Sequence, residues 1–285
     1  MMSGLRRFLR LLWAALSRFS EDHGANHAAA VAYFSLLSLP PFLYLTGRVL
    51  ARLVPDTDGT EAILSAVAQY LPLEIGPSLL TLERSLHQGG SLVAVAAPVL
   101  LWVASHAFSA LEIAVNVAFG TTPQRRFWVS RLKAFIGLSG GVLLLGATVG
   151  AGHVALWLDG FLSRTGAPLL LSPKARFVST AALIIATSAV FTLFYKWLPS
   201  GKVAWWSAAR AALVAVVLWE GARHAFGSLL STSPAFGFFS GSLAAIVAVL
   251  GWIYVAVAVT IYGAEVAALL NGNRPHVAKK APVHR

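Results

Sequence analysis

Gly241-Ser-Leu-Ala-Ala-Ile-Val-Ala-Val-Leu-Gly-Trp-Ile-Tyr-Val-Ala-Val-Ala-Val-Thr-Ile-Tyr-Gly-Ala-Glu-Val-Ala-Ala-Leu-Leu270 carries a single charged residue, Glu265. A helix rises about 1.5 Å per residue, so about 20 apolar residues cross a hydrocarbon layer about 30 Å thick. The run is longer than that and continuously apolar, without the period-two alternation of a barrel strand. It reads as a membrane-spanning helix.

Working outward, five more stretches have the same character: 28–54, 91–118, 133–158, 177–198 and 203–230, with 241–270 as the sixth. The expected fold class is therefore all-α, a polytopic membrane protein with six transmembrane helices. Residues 1–27 precede this domain of 28–270, and a basic tail, 271–285, follows it. Composition agrees. The chain is 57% hydrophobic and 12% charged, with mean hydropathy +0.72, whereas a soluble domain is about one-quarter charged. The surplus apolar surface needs lipid rather than water.

The net charge of +11 raises nucleic acid as a partner, but the basic residues sit in short stretches between apolar runs and not on one soluble face. No nucleic-acid partner is expected. The absence of cysteine excludes disulfides, thiolate chemistry and cysteine metal sites. No cleavable signal is read in Leu11 to Leu16, which is short and followed closely by Arg18.

Orientation follows from the cations. Arg6, Arg7, Arg10 and Arg18 precede the first span, and Arg125, Arg126, Arg131 and Lys133 lie between the second and third. Lys196, Lys202 and Arg210 flank the fourth-to-fifth turn, and Arg274, Lys279, Lys280 and Arg285 end the chain. The acids Asp56, Asp58, Glu61, Glu74, Glu83 and Asp159 fall on the other side. The positive-inside rule then puts both termini in the cytoplasm. The long acidic connection 55–90, with two short helix-like pieces at 60–71 and 78–86, is expected to cap the outer surface.

Before the first span, Leu5, Phe8, Leu9, Leu12, Leu16 and Phe19 form an apolar stripe with the four arginines largely opposite. This is the pattern of an interfacial amphipathic helix drawn to anionic lipid, or of a basic flank that only orients the span.

Polar residues inside the spans single out candidate positions, because each costs about 2.5–3.5 kcal/mol to insert. His106 and Glu220 fall near the midplane, with Arg223 and His224 one turn outward from Glu220. Glu112, Asn116, Arg210 and Glu265 gather towards the cytoplasmic boundary. They could line a pathway for a polar or amphiphilic solute. Equally, they could be structural pairs, Glu220 with Arg223 and Arg210 with Glu112 or Glu265; His106 could simply be a packing residue.

Pro40 and Pro41 stand mid-span and should kink or break the first span, since proline lacks the amide donor and clashes with the preceding turn. Ser35 and Ser38, a turn earlier, could satisfy the freed groups or meet a ligand. In the third span Gly137, Gly141, Gly146 and Gly150 form small-xxx-small pairs suited to close helix contact within one chain or in a homo-oligomer.

Four segments carry a resemblance. Ala29–Ala–Val–Ala–Tyr–Phe–Ser–Leu–Leu–Ser–Leu–Pro40, Ala110–Leu–Glu–Ile–Ala–Val–Asn116, Phe194–Tyr–Lys–Trp–Leu–Pro199, and Gly251–Trp–Ile–Tyr254 through Gly263–Ala–Glu265 occur in that order over nearly the whole chain. Together the set resembles the YihY/BrkB-like family of bacterial inner-membrane proteins, long labelled ribonuclease BN-like. One departure is Phe239–Ser–Gly241, where family members often read Tyr-Gly. The resemblance implies six spans in the inner membrane and supplies no settled activity.

Two function classes follow: a transporter or translocase of a lipid-like or amphiphilic solute, or a non-transporting scaffold for envelope assembly. A ribonuclease ranks last, because metal-assisted hydrolysis wants clustered histidines and carboxylates. The eight histidines are scattered, and the nearest thing to a cluster is His23 and His27 beside Glu21 and Asp22. No catalytic residue, metal site or cofactor is expected, and no phosphate-binding loop is present.

Overall fold

The computed structural model describes residues 2–53, 93–121, 173–232 and 242–273. Their regular structure is entirely helical: α1 (Met2–Glu21), α2 (Gly24–Leu53), α3 (Val93–Ala118), α4 (Pro173–Trp197), α5 (Trp205–Thr232) and α6 (Ser242–Leu270). The expected stretches 28–54, 91–118, 177–198, 203–230 and 241–270 fall on α2 to α6. The expected third span with Gly137, Gly141, Gly146 and Gly150, the connection 55–90, Phe239–Ser–Gly241 and the tail from 274 lie outside the described residues.

Within the described residues three segments are long and apolar enough to cross a bilayer: Pro98–Ala118, Trp205–Thr232 and Ile246–Leu270. Their packing has the distribution that lipid imposes. The residues buried in the first half of α5 are mostly small (Ser207, Ala208, Ala211, Ala212 and Ala215, with Val216), and α6 contributes Ala264, Ala267 and Ala268 to the same core. Large apolar side chains point away from it, with Val217 at 71% and Ile185 at 69% exposure. Between helices already solvated by hydrocarbon, close van der Waals approach decides the contact, and small residues permit it.

α6, nearly featureless around its circumference, packs against α5, α2, α1 and α3, while α2 pairs with α3 and α4 with α5. Tyr195 of α4 is fully buried and donates its hydroxyl to the Thr260 carbonyl of α6 at 3.0 Å. A second apolar layer further along α5 and α6 is aromatic: Trp219 meets Trp252 edge-on at 5.3 Å, and Phe226 lies 5.7 Å from Trp252.

Of the kink or break expected in the first span, the break does not occur. Pro40 and Pro41 do not break the first span, because α2 is one helix of 30 residues from Gly24 to Leu53. Each proline removes one amide donor, and the remaining ladder on either side is enough to carry the helix through. The apolar stripe of α1 also divides. Leu11, Leu12, Ala15 and Phe19 pack onto the bundle, whereas Phe8, Leu9, Trp13 and Leu16 stay exposed. α1 is thus docked on one face and apolar on another.

Candidate functional site

The termini of α3, α4, α5 and α6 converge at the end of the bundle where α1 turns into α2, and polar side chains tie them together. α3 and α6 finish in the same way. Gly120 (φ 64°) and Gly272 (φ 78°) take the left-handed conformation that a residue with a Cβ resists. The amide of Thr121 then bonds the Asn116 carbonyl at 2.9 Å, and that of Asn273 bonds the Ala268 carbonyl at 3.0 Å. The preceding glycine amides close the inner rings on Val117 and Leu269, which completes two Schellman caps.

Asn116, fully buried, is the centre of this region. Its Nδ2 donates to the Glu112 carbonyl one turn back at 2.8 Å. Its Oδ1 accepts from the Ser200 amide at 2.8 Å and from the Thr121 hydroxyl at 2.9 Å. A side chain on α3 thereby holds the loop after α4. Asn273 donates from Nδ2 to the Phe119 carbonyl at 2.8 Å, bridging one cap to the other. Asn271 accepts from the Ala204 amide at 2.9 Å and donates to the Lys202 carbonyl at 3.1 Å, fixing the start of α5.

Glu265 is 1% exposed in this region. Its carboxyl shares a side-chain hydrogen bond with Asp22, from the turn between α1 and α2, and the Arg18 guanidinium acts on it. Arg18 also donates to the Asn273 carbonyl at 3.2 Å, and the Tyr262 hydroxyl donates to the Leu12 carbonyl at 2.9 Å. The cation beside Glu265 is thus Arg18. Arg210 is exposed instead, its guanidinium 6.0 Å from the centre of the Trp206 ring.

The remaining candidates lie elsewhere. A cavity of about 210 Å³ between α2 and α3 is lined by Val31, Ser35, Ser38, Ala104, Phe108 and Leu111, among others. The Ser38 hydroxyl donates to the Ser35 carbonyl at 2.9 Å. Because Pro40 and Pro41 have no N–H, the Leu36 and Leu37 carbonyls beside these serines lack their usual helical donors. His106 sits next to this wall and does not line it. Its Nδ1 donates to the Trp102 carbonyl at 2.8 Å, and its ring lies 5.5 Å from Phe34.

Glu220 and Arg223 pair at 3.0 Å on α5, only half-buried, with His224 exposed beside them. The structure does not place them in the α2–α3 cavity with Ser35. Nearer the start of α2, burial and then His23 hold the His27 imidazole below its ordinary value, with Asp22 acting the other way. Among the described residues no group of three His, Asp or Glu side chains is placed to hold a metal ion.

Arg18, Asp22, Asn271 and Asn273 were not among the sequence candidates. The signal for the asparagines was present: Asn271-Gly-Asn273 directly follows the last apolar run, the composition of a helix C-cap. Nothing local marks Asp22 as the partner of a glutamate more than two hundred residues away.

Long apolar helices, a core built largely on small residues, exposed large apolar side chains and polar ties gathered at one end define an integral helical membrane protein. The chain belongs to the BrkB family, described as Virulence factor BrkB, whose profile matches residues 15–285. It is similar to a UPF0761 membrane protein of Vibrio vulnificus, 26% identical over 94% of this chain and 83% of the relative. A Bacillus subtilis protein named as ribonuclease-like, YfkH, is 28% identical over 93% of this chain and 95% of its own length. A longer UPF0761 membrane protein of Ralstonia nicotianae is 31% identical over 90% of this chain and 57% of the relative. No solved structure matches.

Proposed function

We propose that the protein is a transporter or translocase of a lipid-like or amphiphilic solute in the bacterial inner membrane, with both termini cytoplasmic. The observation that carries this reading is the α2–α3 cavity. Its wall is apolar except for Ser35 and Ser38, and it lies one turn before Pro40 and Pro41, beside carbonyls that have lost their helical donors. An apolar wall with a few acceptors and hydroxyls suits a solute that is mostly hydrocarbon with a small polar part. Interrupted helical hydrogen bonding at membrane depth is a device by which transporters present backbone groups to cargo.

The test is lipid movement in vesicles reconstituted with the purified chain, using a fluorescent phospholipid whose inner-leaflet fraction is protected from a quencher. The protein should accelerate exchange between leaflets over protein-free vesicles. Ala107→Trp, which fills the cavity, should abolish the acceleration while thermal unfolding in detergent stays near the wild-type temperature. A well-folded protein that moves no phospholipid or lysophospholipid would sink the reading.

The second reading, a scaffold for envelope assembly, draws on the polar ties at the helix ends, where Asn116, Asn271 and Asn273 fix neighbouring segments. It predicts that Ala107→Trp supports full growth in a strain dependent on this protein.

A further inference from the structure

α1 packs on α6 and α2 and stands apart from α5, which leaves a groove with α1 and α5 as walls and α6 as floor. Phe8 and Leu12 form one wall, Arg210, Leu213 and Val217 the other, and Val266 lies beneath. The groove has a volume of about 620 Å³. From Arg210 to Val217 the wall runs along α5 for about 10 Å, and it is apolar throughout except for Arg210 at one end.

We infer that this groove is a binding site for one anionic phospholipid of the surrounding leaflet, with an acyl chain between α1 and α5 and the phosphate at Arg210. Three observations select this occupant. The first is placement: Trp206, 76% exposed, lies beside Arg210 at one end of the groove, and exposed tryptophans mark the head-group level of a bilayer. The second is charge. Among the described residues Arg210 is the one charged side chain lining the groove, and the neighbouring α1 carries Arg6 and Arg10 on its exposed face, with its one acid, Glu21, at the far end. The third is geometry. The guanidinium lies over the Trp206 ring, which steadies a planar fork that pairs with two phosphate oxygens at once. A helix from a partner protein fits less well, since it would bury an arginine against a wall that offers it no acid.

The site is independent of the transport reading, because it asks only that the chain lie in a bilayer and that one lipid stay with it. The protein is purified in mild detergent and mixed with phosphatidylglycerol or phosphatidylethanolamine of identical acyl chains, and retained lipid is counted by native mass spectrometry. Phosphatidylglycerol should be retained at one copy, several-fold over phosphatidylethanolamine. Arg210→Gln should erase that preference and Arg210→Lys keep part of it. Val217→Trp, which occupies the chain path, should lower retention of both lipids. Arg210 and Val217 are exposed, so all three variants should unfold at the wild-type temperature in detergent. Equal retention of the two lipids, or a preference that survives Arg210→Gln and vanishes in an Arg6→Gln, Arg10→Gln variant, would overturn the site in favour of diffuse attraction to α1.

Discussion

At Gly263 an added methyl group would fall well inside contact distance of the Tyr195 hydroxyl and would meet Ala215 Cβ at 3.1 Å. Both neighbours belong to the packed interior, so neither can swing aside. Gly263→Ala should therefore cost about 1–3 kcal/mol, read as a lower melting temperature in detergent. Adding Tyr195→Phe removes the nearest atom and should return part of the loss. Unfolding of Gly263→Ala at the wild-type temperature would mean that α4 and α6 do not approach this closely. Glu220 and Arg223 pose a different question, because their 3.0 Å pair is half-exposed and its worth depends on what surrounds it. Water-exposed pairs contribute about 0–1 kcal/mol. In lipid, an unpaired charge costs more than no charge. Glu220→Gln alone and Arg223→Met alone should then each cost over ~1 kcal/mol, with most of it recovered in the double variant. Additive losses would place the pair in water.

The elements differ in how they use polar groups. α6 commits one glutamate, Glu265, to the turn that joins α1 and α2, and through it the amphipathic helix is fastened to the centre of the bundle. α2 carries the Pro40–Pro41 pair inside its helix. Since α2 is continuous, replacing both prolines with alanine should leave helix content and folding intact and restore the donors to the Leu36 and Leu37 carbonyls. Circular dichroism and thermal unfolding should match or exceed the wild type, while phospholipid exchange in vesicles falls to the protein-free rate. Full exchange in that variant would remove the freed carbonyls from the mechanism and leave the cavity wall as the only recognition element.

At the scale of the whole molecule, the start of α2, the ends of α3, α4 and α6 and the start of α5 lie together at the α1 end. This is how antiparallel spans must alternate, and it gathers Arg18, Lys196, Lys202 and Arg210 at one level. The orientation it predicts is testable with single cysteines, because the chain has none. Asp58→Cys and Gly166→Cys should react with an impermeant thiol reagent in intact cells, and Thr122→Cys and Ala278→Cys only after lysis. The reverse labelling would invert the molecule and move the lipid groove to the outer leaflet.

The sequence by itself determined that the chain is helical and lives in a membrane, because both properties are sums over local residues: run length against bilayer thickness, and apolar content against charge. It also determined which positions were expensive enough to need an explanation, and Asn116 and Glu265 were among them. The partners of those residues belong to the tertiary structure. Asn116 serves a loop eighty-four positions away at Ser200, and Glu265 meets Asp22 across nearly the whole chain. Hydrogen-bond geometry over such separations is set by helix packing, which no local pattern encodes. The prolines show the same limit from the other side. Their lost donors could be read from the residues, but whether the helix broke depended on the continuity of the ladder around them. Arg210 could be placed near the head groups from its depth alone; only the stance of α1 against α5 and α6 gave it an apolar groove to guard.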